Sequence, residues 1–228
     1  MEILFEDNHI IAVNKSCGDI VQGDKSGDEP VTEKVKAYLK EKYNKPGKVF
    51  LGLPHRLDRP TSGALLMAKT SKMLPRLNKL FQEKGLVEKI YWAVVDKMPT
   101  EPEGTLEHYL VKNEQQNRSY AYTENREGAK FASLHYKHIA SIDNYHLLEI
   151  QLHTGRHHQI RVQLRQLKVY IKGDLKYGFP RSNKNGGISL HARSLEFMHP
   201  VKMEMIKIIA PPPKDSVWDA FLEKLKKD

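Results

Sequence analysis

Three features of the chain predict an α+β fold. Runs of β-branched and aromatic residues at 87–95, 105–111, 119–123, 130–139 and 145–153 follow one another across short polar connectors. That is the pattern of an antiparallel meander rather than of strand–helix–strand units. Separate segments near 31–43, 71–85 and 156–168 carry apolar residues at helical spacing. At 228 residues the chain has the length of one domain and buries roughly 70–75% of its unfolded surface, so no disulfide or metal is needed to hold a core.

The elements follow in order. Ile3-Leu4-Phe5 and His9 to Asn14 read as short strands split by the turn residues Glu6-Asp7-Asn8. A loop over 15–30 precedes a helix with Val31, Val35, Tyr38, Leu39 and Tyr43 on one side, ended by Asn44-Lys45-Pro46-Gly47. Ala64 to Ala68 is an apolar, buried strand. Ser71 is the expected cap of a helix carrying Met73, Leu74, Leu77, Leu80 and Phe81, with Pro75 in its first turn and Gly85 closing it. The meander follows. After Thr154-Gly155, residues 156–168 form a helical pattern with Ile160, Leu164 and Leu167 on one face and Arg161, Arg165 and Lys168 on the next. Tyr170-Ile171 reads as a short strand, 181–187 as a polar loop, and 188–197 with 203–209 as a last strand pair. A helix capped by Ser216, with Val217, Trp218, Phe221, Leu222 and Leu225 inward, closes the chain. No internal repeat and no long linker divides it.

Composition narrows the partners. Lysine and arginine number 37 against 28 acids, a net charge of +9. That suits a polyanion, and nucleic acid is the commonest. The single cysteine, Cys17, excludes an internal disulfide and fits a reducing compartment. The start of the chain lacks the basic and apolar regions of a signal peptide, and no apolar run approaches the roughly 20 residues that span a bilayer. The expectation is a soluble, cytoplasmic monomer.

Chemistry concentrates at three places. Pro54-His55-Arg56-Leu57-Asp58-Arg59-Pro60-Thr61-Ser62-Gly63 sets one carboxylate among two arginines and a histidine, at the lip of a core strand. Such a cluster is either a salt bridge bracing a loop or an acid held ready for chemistry. Tyr91, two residues after Lys89, is either a core tyrosine or a ring facing a ligand. Thr154-Gly155-Arg156-His157-His158-Gln159-Ile160-Arg161 is either a capped helix with a basic face or a phosphate-holding turn. His153, His157 and His158 lack the cysteine pair or spaced carboxylate of a zinc site, and no glycine-rich nucleotide loop follows a strand. No metal and no cofactor are expected.

His55-Arg56-Leu57-Asp58-Arg59-Pro60-Thr61-Ser62-Gly63 resembles the signature of the RluA family of RNA pseudouridine synthases. The opening segment from Ile3 to Gly18, Lys89-Ile90-Tyr91, Thr154-Gly155-Arg156 with His158-Gln159-Ile160-Arg161, Gly173-Asp174 with Tyr177-Gly178, and His199-Pro200 with Glu204 and Ala210-Pro211 resemble its further landmarks, in order. Two positions depart from it: Ser16-Cys17 stands where the family has proline, and Gln163 where a histidine is common. The resemblance implies one catalytic domain over 1–228, of the kind without an appended RNA-binding S4 domain. It implies isomerisation of uridine to pseudouridine in rRNA or tRNA, with the target base flipped out. Asp58 is then the essential acid, Arg161 its partner and Tyr91 the ring stacked on the uracil. Arg56 reaches into the RNA, and His55, Arg59, Arg156, His158 and Arg165 belong to the RNA-binding surface. A non-catalytic RNA binder and a phosphate-ester hydrolase are the alternatives. The first tolerates loss of Asp58; the second is stopped by chelators.

Overall fold

A computed structural model describes residues 1–23 and 27–227; of the loop expected over 15–30, residues 24–26 lie outside the described ones. Along the chain run β1 (Glu2–Glu6), β2 (Ile10–Lys15), α1 (Val31–Lys42), β3 (Ser62–Ala68), α2 (Met73–Gln82), β4 (Val87–Val95), β5 (Glu103–Asn113), β6 (Arg118–Tyr122), β7 (Lys130–Ile142), β8 (Tyr145–Leu152), α3 (Gln159–Gln166), β9 (Leu190–Met198), β10 (Met205–Ile209) and α4 (Ser216–Leu225). The α+β class and the antiparallel meander are as the sequence predicts. The chain groups into two compact units, Met1–Val87 with Ala192–Pro211, and Glu88–His191 with Pro212–Asp228.

In the first unit β1 pairs antiparallel with β2, β2 with β3, and β10 with β9. All seven residues of β3 are buried, which is why the stretch after Gly63 reads as an unbroken apolar run rather than an alternation. One side chain set, Ile10, Ala12, Ala64, Leu66, Leu195 and Phe197, meets Met73 and Leu77 of α2. Gly63 has φ +119°, and a Cβ there would run into the backbone of Ala192. Only glycine fits such an approach. The α1 helix buries Val31, Val35 and Leu39, four residues apart. It is held to β1 by Glu6, whose carboxylate accepts from Lys42 Nζ at 2.7 Å, Lys69 Nζ at 2.7 Å, and the hydroxyls of Tyr43 at 2.6 Å and Tyr38 at 3.0 Å. Burial alone would raise the Glu6 pKa; these donors outweigh it and bring it down to about 2. Ser71 does not cap α2. Lys72 holds the N-cap position without a side-chain hydrogen bond, and Thr70 Oγ1 accepts from Met73 N–H at 3.2 Å in the turn before it.

In the second unit the strand order is β4-β8-β7-β5-β6, each pair antiparallel. Both faces are covered. Ala93, Val95, Leu148, Ile150 and Leu152 pack against Ile160 and Leu164 of α3. Trp92, Val94 and Leu147 pack on the other face against Trp218 and Phe221 of α4. That double cover explains the near-continuous apolar run of β4. Three expectations are corrected here. The α3 helix starts at Gln159 rather than 156, because His158 takes a left-handed conformation, φ 53°. Tyr170-Ile171 contributes a single bridge, Val95 to Ile171, rather than a strand. Asp215, not Ser216, caps α4, its carboxylate accepting from Val217 N–H at 2.9 Å and Trp218 N–H at 3.0 Å. Among the described residues no helix is long and apolar enough to cross a membrane.

Candidate active site

Asp58 lies in the loop that leads into β3. The loop is tied down locally: Thr61 N–H donates to the Asp58 carbonyl at 3.0 Å, and Gly18 N–H to the Arg59 carbonyl at 2.9 Å. Lys15, at the end of β2, is almost fully buried. Its ammonium donates to the carbonyls of Ser16 (2.9 Å), Asp19 (2.8 Å) and Arg59 (3.1 Å). Burial, helped by the charge of Arg59, drags its pKa down to about 8, against the opposing fields of Cys17, Asp19 and Asp58. A neighbouring acid is thus one of the charges Lys15 faces. The Asp58 side chain is partly exposed.

The flanking groups divide. His55 Nε2 accepts from Leu66 N–H at 2.9 Å, and its ring stacks on Phe81 at 4.5 Å. Arg59 pairs with Asp28 at 2.6 Å, both about half exposed; such a pair adds little stability. Arg56 is exposed.

In the second unit Tyr91 stands opposite Ile150 across β4 and β8, half-buried against the core. Lys89, two residues earlier, has its pKa lowered by burial and by the charge of Arg156. The Thr154-Gly155-Arg156 turn is built around Gln159. Its Oε1 accepts from Thr154 Oγ1 at 2.7 Å and from Arg156 N–H at 3.0 Å, while Thr154 Oγ1 accepts from Ser133 N–H at 3.0 Å. Arg156 itself is exposed and donates from Nε to the Phe131 carbonyl at 2.9 Å. Arg165 is exposed on α3.

Arg161 points inward. It forms a two-point ion pair with Asp174, Nε to Oδ2 at 2.7 Å and Nη2 to Oδ1 at 2.8 Å, with side chains only 4% and 2% exposed. Its guanidinium carbon lies 5.0 Å from the centre of the Tyr177 ring. The Tyr177 hydroxyl accepts from Ser119 N–H at 2.8 Å and lies 3.0 Å from His158 Nδ1. Burial raises the Tyr177 pKa. An acid clamps the guanidinium in its plane, and a ring covers one face.

His158 departs from the surface role expected of it. It is buried, stacked on His157 with ring centres 3.8 Å apart. Burial, then the charges of Arg161 and His157, push its pKa down to about 2, so it stays neutral. Its Nδ1 lies beside the Tyr177 hydroxyl. Gln163, at the position where the resemblance leads one to look for histidine, is buried and donates to the Leu106 carbonyl at 2.9 Å. Among the described residues no group of three or more His, Cys, Asp or Glu could hold a metal ion.

Asp174 and Tyr177 stand in the Gly173-Asp174 and Tyr177-Gly178 landmarks of the resemblance but receive no role there, and one signal points to the acid. Between Glu149 and Glu196 the chain holds many arginines, lysines and histidines and a single carboxylate, Asp174. A lone acid among so many cations finds one of them. Lys15 has a weaker signal, a charged residue closing an apolar strand.

The sequence profile of the RNA pseudouridylate synthases matches residues 9–166. An uncharacterized RNA pseudouridine synthase of Synechocystis is 35% identical, over 99% of this chain and 68% of that protein. Ribosomal large subunit pseudouridine synthase D of Zymomonas mobilis is 30% identical, over 94% of this chain and 70% of that one. The solved structure of human RNA Pseudouridylate Synthase Domain Containing 4 shares the fold, with a TM-score of 0.79 at 24% identity, covering 99% of this chain and 93% of its own.

Proposed function

The chain belongs to the RNA pseudouridylate synthase family, and from that premise we propose how its residues turn uridine into pseudouridine in a structured RNA, rRNA or tRNA. What carries the reading is the span of the family match, residues 9–166, which takes in Asp58, Tyr91 and Arg161 together. The reaction breaks the bond from ribose C1′ to uracil N1, turns the freed base, and joins C5 to C1′; the C5 proton leaves and N1 gains one. Atoms balance within the nucleotide, so nothing is consumed.

Asp58 is the essential acid of this scheme, acting on the sugar. Lys15 and the Thr61 and Gly18 amides hold its loop in place without touching substrate. Arg161 is its charge partner. A guanidinium already fixed by Asp174 loses little freedom when it meets a second carboxylate. Tyr91 lies against the flipped uracil; a ring face permits rotation of the base while keeping it bound. Extruding that base costs a few kcal/mol, and Arg56 supports the extruded state. Arg59, Arg156 and Arg165 contribute to the field that holds the phosphates. The large-subunit name of the Zymomonas relative supports rRNA as the substrate to try first, with tRNA alongside it.

The test is release of tritium from rRNA and tRNA transcripts made with 5-³H-uridine. Wild-type protein is expected to release tritium from one of them, and Asp58→Ala to lose about 10³-fold or more in rate, the scale of a group acting on the reacting bond. Release that persists in Asp58→Ala removes Asp58 from the mechanism. Binding without release by the wild type favours a non-catalytic RNA binder.

A further inference from the structure

Resting on the reading above, we propose that Arg118, with Lys176 and Lys112 beside it, forms a phosphate-binding site for the RNA substrate at the head of β6. Arg118 is a cation in an unusual setting. Its guanidinium carbon lies 5.1 Å from the centre of the Tyr177 ring and 5.6 Å from that of Tyr120. Its Nε is buried without a hydrogen-bond partner. Among the described residues no carboxylate is paired with it. The acid that shares its neighbourhood, Asp174, has both oxygens engaged by Arg161. A partly buried guanidinium with no carboxylate paired to it among the described residues carries a desolvation cost greater than two ring contacts return, and a partner that brings an anion would offset the rest.

The hairpin between β5 and β6 gathers further positive charge at the same spot. Register sets Lys112 opposite Ser119 and Asn113 opposite Arg118, and the turn closes through Asn117 with φ 45°. Lys176 Nζ reaches the Asn117 carbonyl, a neutral acceptor, at 2.9 Å. Lys112 pairs with Glu114 at 2.6 Å, where both are exposed. His157 Nε2 lies 3.1 Å from Asn117 Oδ1. Lys176 and Lys112 both lie near enough to act on the buried His158. Arg118, Lys176 and Lys112 stand here against Glu114, which pairs with Lys112.

Geometry selects the anion. A planar guanidinium with no carboxylate paired to it takes two oxygens of one phosphate group. Two lysines on flexible stems add point charges for the phosphates before and after it. The site fits the RNA backbone rather than a base, so it contributes affinity independent of sequence.

The experiment is fluorescence anisotropy with a fluorescein-labelled RNA hairpin, titrated at salt from about 50 to about 200 mM. Arg118→Ala is expected to weaken binding about tenfold or more, on the scale of a hydrogen bond to a charged group, and to reduce the slope of log affinity against log salt by about one. Arg118→Lys should keep the slope and recover only part of the affinity, because an ammonium cannot grip two oxygens in a plane. Lys112→Ala with Lys176→Ala changes two exposed side chains, so folding is spared, and should also flatten the slope. Lys40→Ala, on the exposed face of α1, should leave it unchanged. If both Arg118→Ala and the double lysine variant keep the wild-type slope, the site is refuted. Tritium release by the wild type is read separately: its absence removes the enzymatic reading, whereas an unchanged slope with release intact removes only this site.

Discussion

Arg161 and Asp174 meet through two parallel hydrogen bonds of 2.7 and 2.8 Å, with both side chains nearly closed off from solvent. Breaking such a pair from one side leaves a buried charge uncompensated. Asp174→Ala is therefore expected to lower stability by about 3–5 kcal/mol, seen as an early midpoint in urea. Asp174→Asn keeps the volume and one acceptor, so it should fold at a smaller cost and show its defect in turnover at saturating RNA. A fully active Asp174→Asn would mean that Arg161 needs no fixed orientation.

Tyr91 gives a second, sharper comparison. Tyr91→Phe preserves the ring, so binding of an RNA with an extrudable uridine should stay near the wild-type value. Tyr91→Ala removes it and should cost about 1–3 kcal/mol of affinity for that RNA, the scale of one base–ring stack. Anisotropy on matched hairpins with and without the uridine separates the two. Equal affinities for all three proteins would return Tyr91 to the role of a core residue.

Glu6 makes a prediction in acid. Its folded pKa, about 2, lies below the ordinary value of 4.5. The unfolded chain therefore binds the proton first as pH falls. The stabilisation from Glu6 is complete above about 4.5 and is lost between there and about 2. Replacing Glu6 by Gln should remove that part of the acid slope when unfolding midpoints are measured across the window. It should also loosen α1, since Lys42, Lys69, Tyr38 and Tyr43 lose the negative charge and one of the two acceptor oxygens they share.

Gly63→Ala tests the close approach of two backbones. The added methyl meets Ala192 main-chain atoms at a φ of +119°, a conformation that costs an L-residue about 1–3 kcal/mol before any clash. Circular dichroism against urea should show a loss of at least that size. A neutral substitution would mean that β3 and β9 can separate without penalty.

Much of this was legible in the residues. The meander announced itself by alternation, β3 by an unbroken apolar run, and the helices by spacing. Local chemistry competed elsewhere. Ser71 and Ser216 look like caps, but Thr70 takes the amide of Met73 in the turn before α2 and Asp215 takes those at the start of α4. The α3 pattern overshoots because His158 turns left-handed where its ring packs on His157 and Tyr177, which apolar spacing does not reveal. The candidate site divides the same way. Asp58, Tyr91 and Arg161 stand in motifs that assign them a role, whereas Asp174, Tyr177 and Lys15, though they lie in quoted landmarks, act through tertiary contacts that neither motif nor periodicity encodes. His158 shares a motif with surface residues and is buried all the same.

Lys15 has a final consequence. One ammonium gathers peptide oxygens from Ser16, Asp19 and Arg59, so it works as a rivet joining the loop after β2 to the loop of the acid. Its proton is held weakly, with a pKa of about 8, and in mildly alkaline solution the rivet becomes a neutral amine with two hydrogens for three carbonyls. The electrostatic surroundings of Asp58 then change well before any ordinary lysine titrates, through a residue that takes no part in bond making.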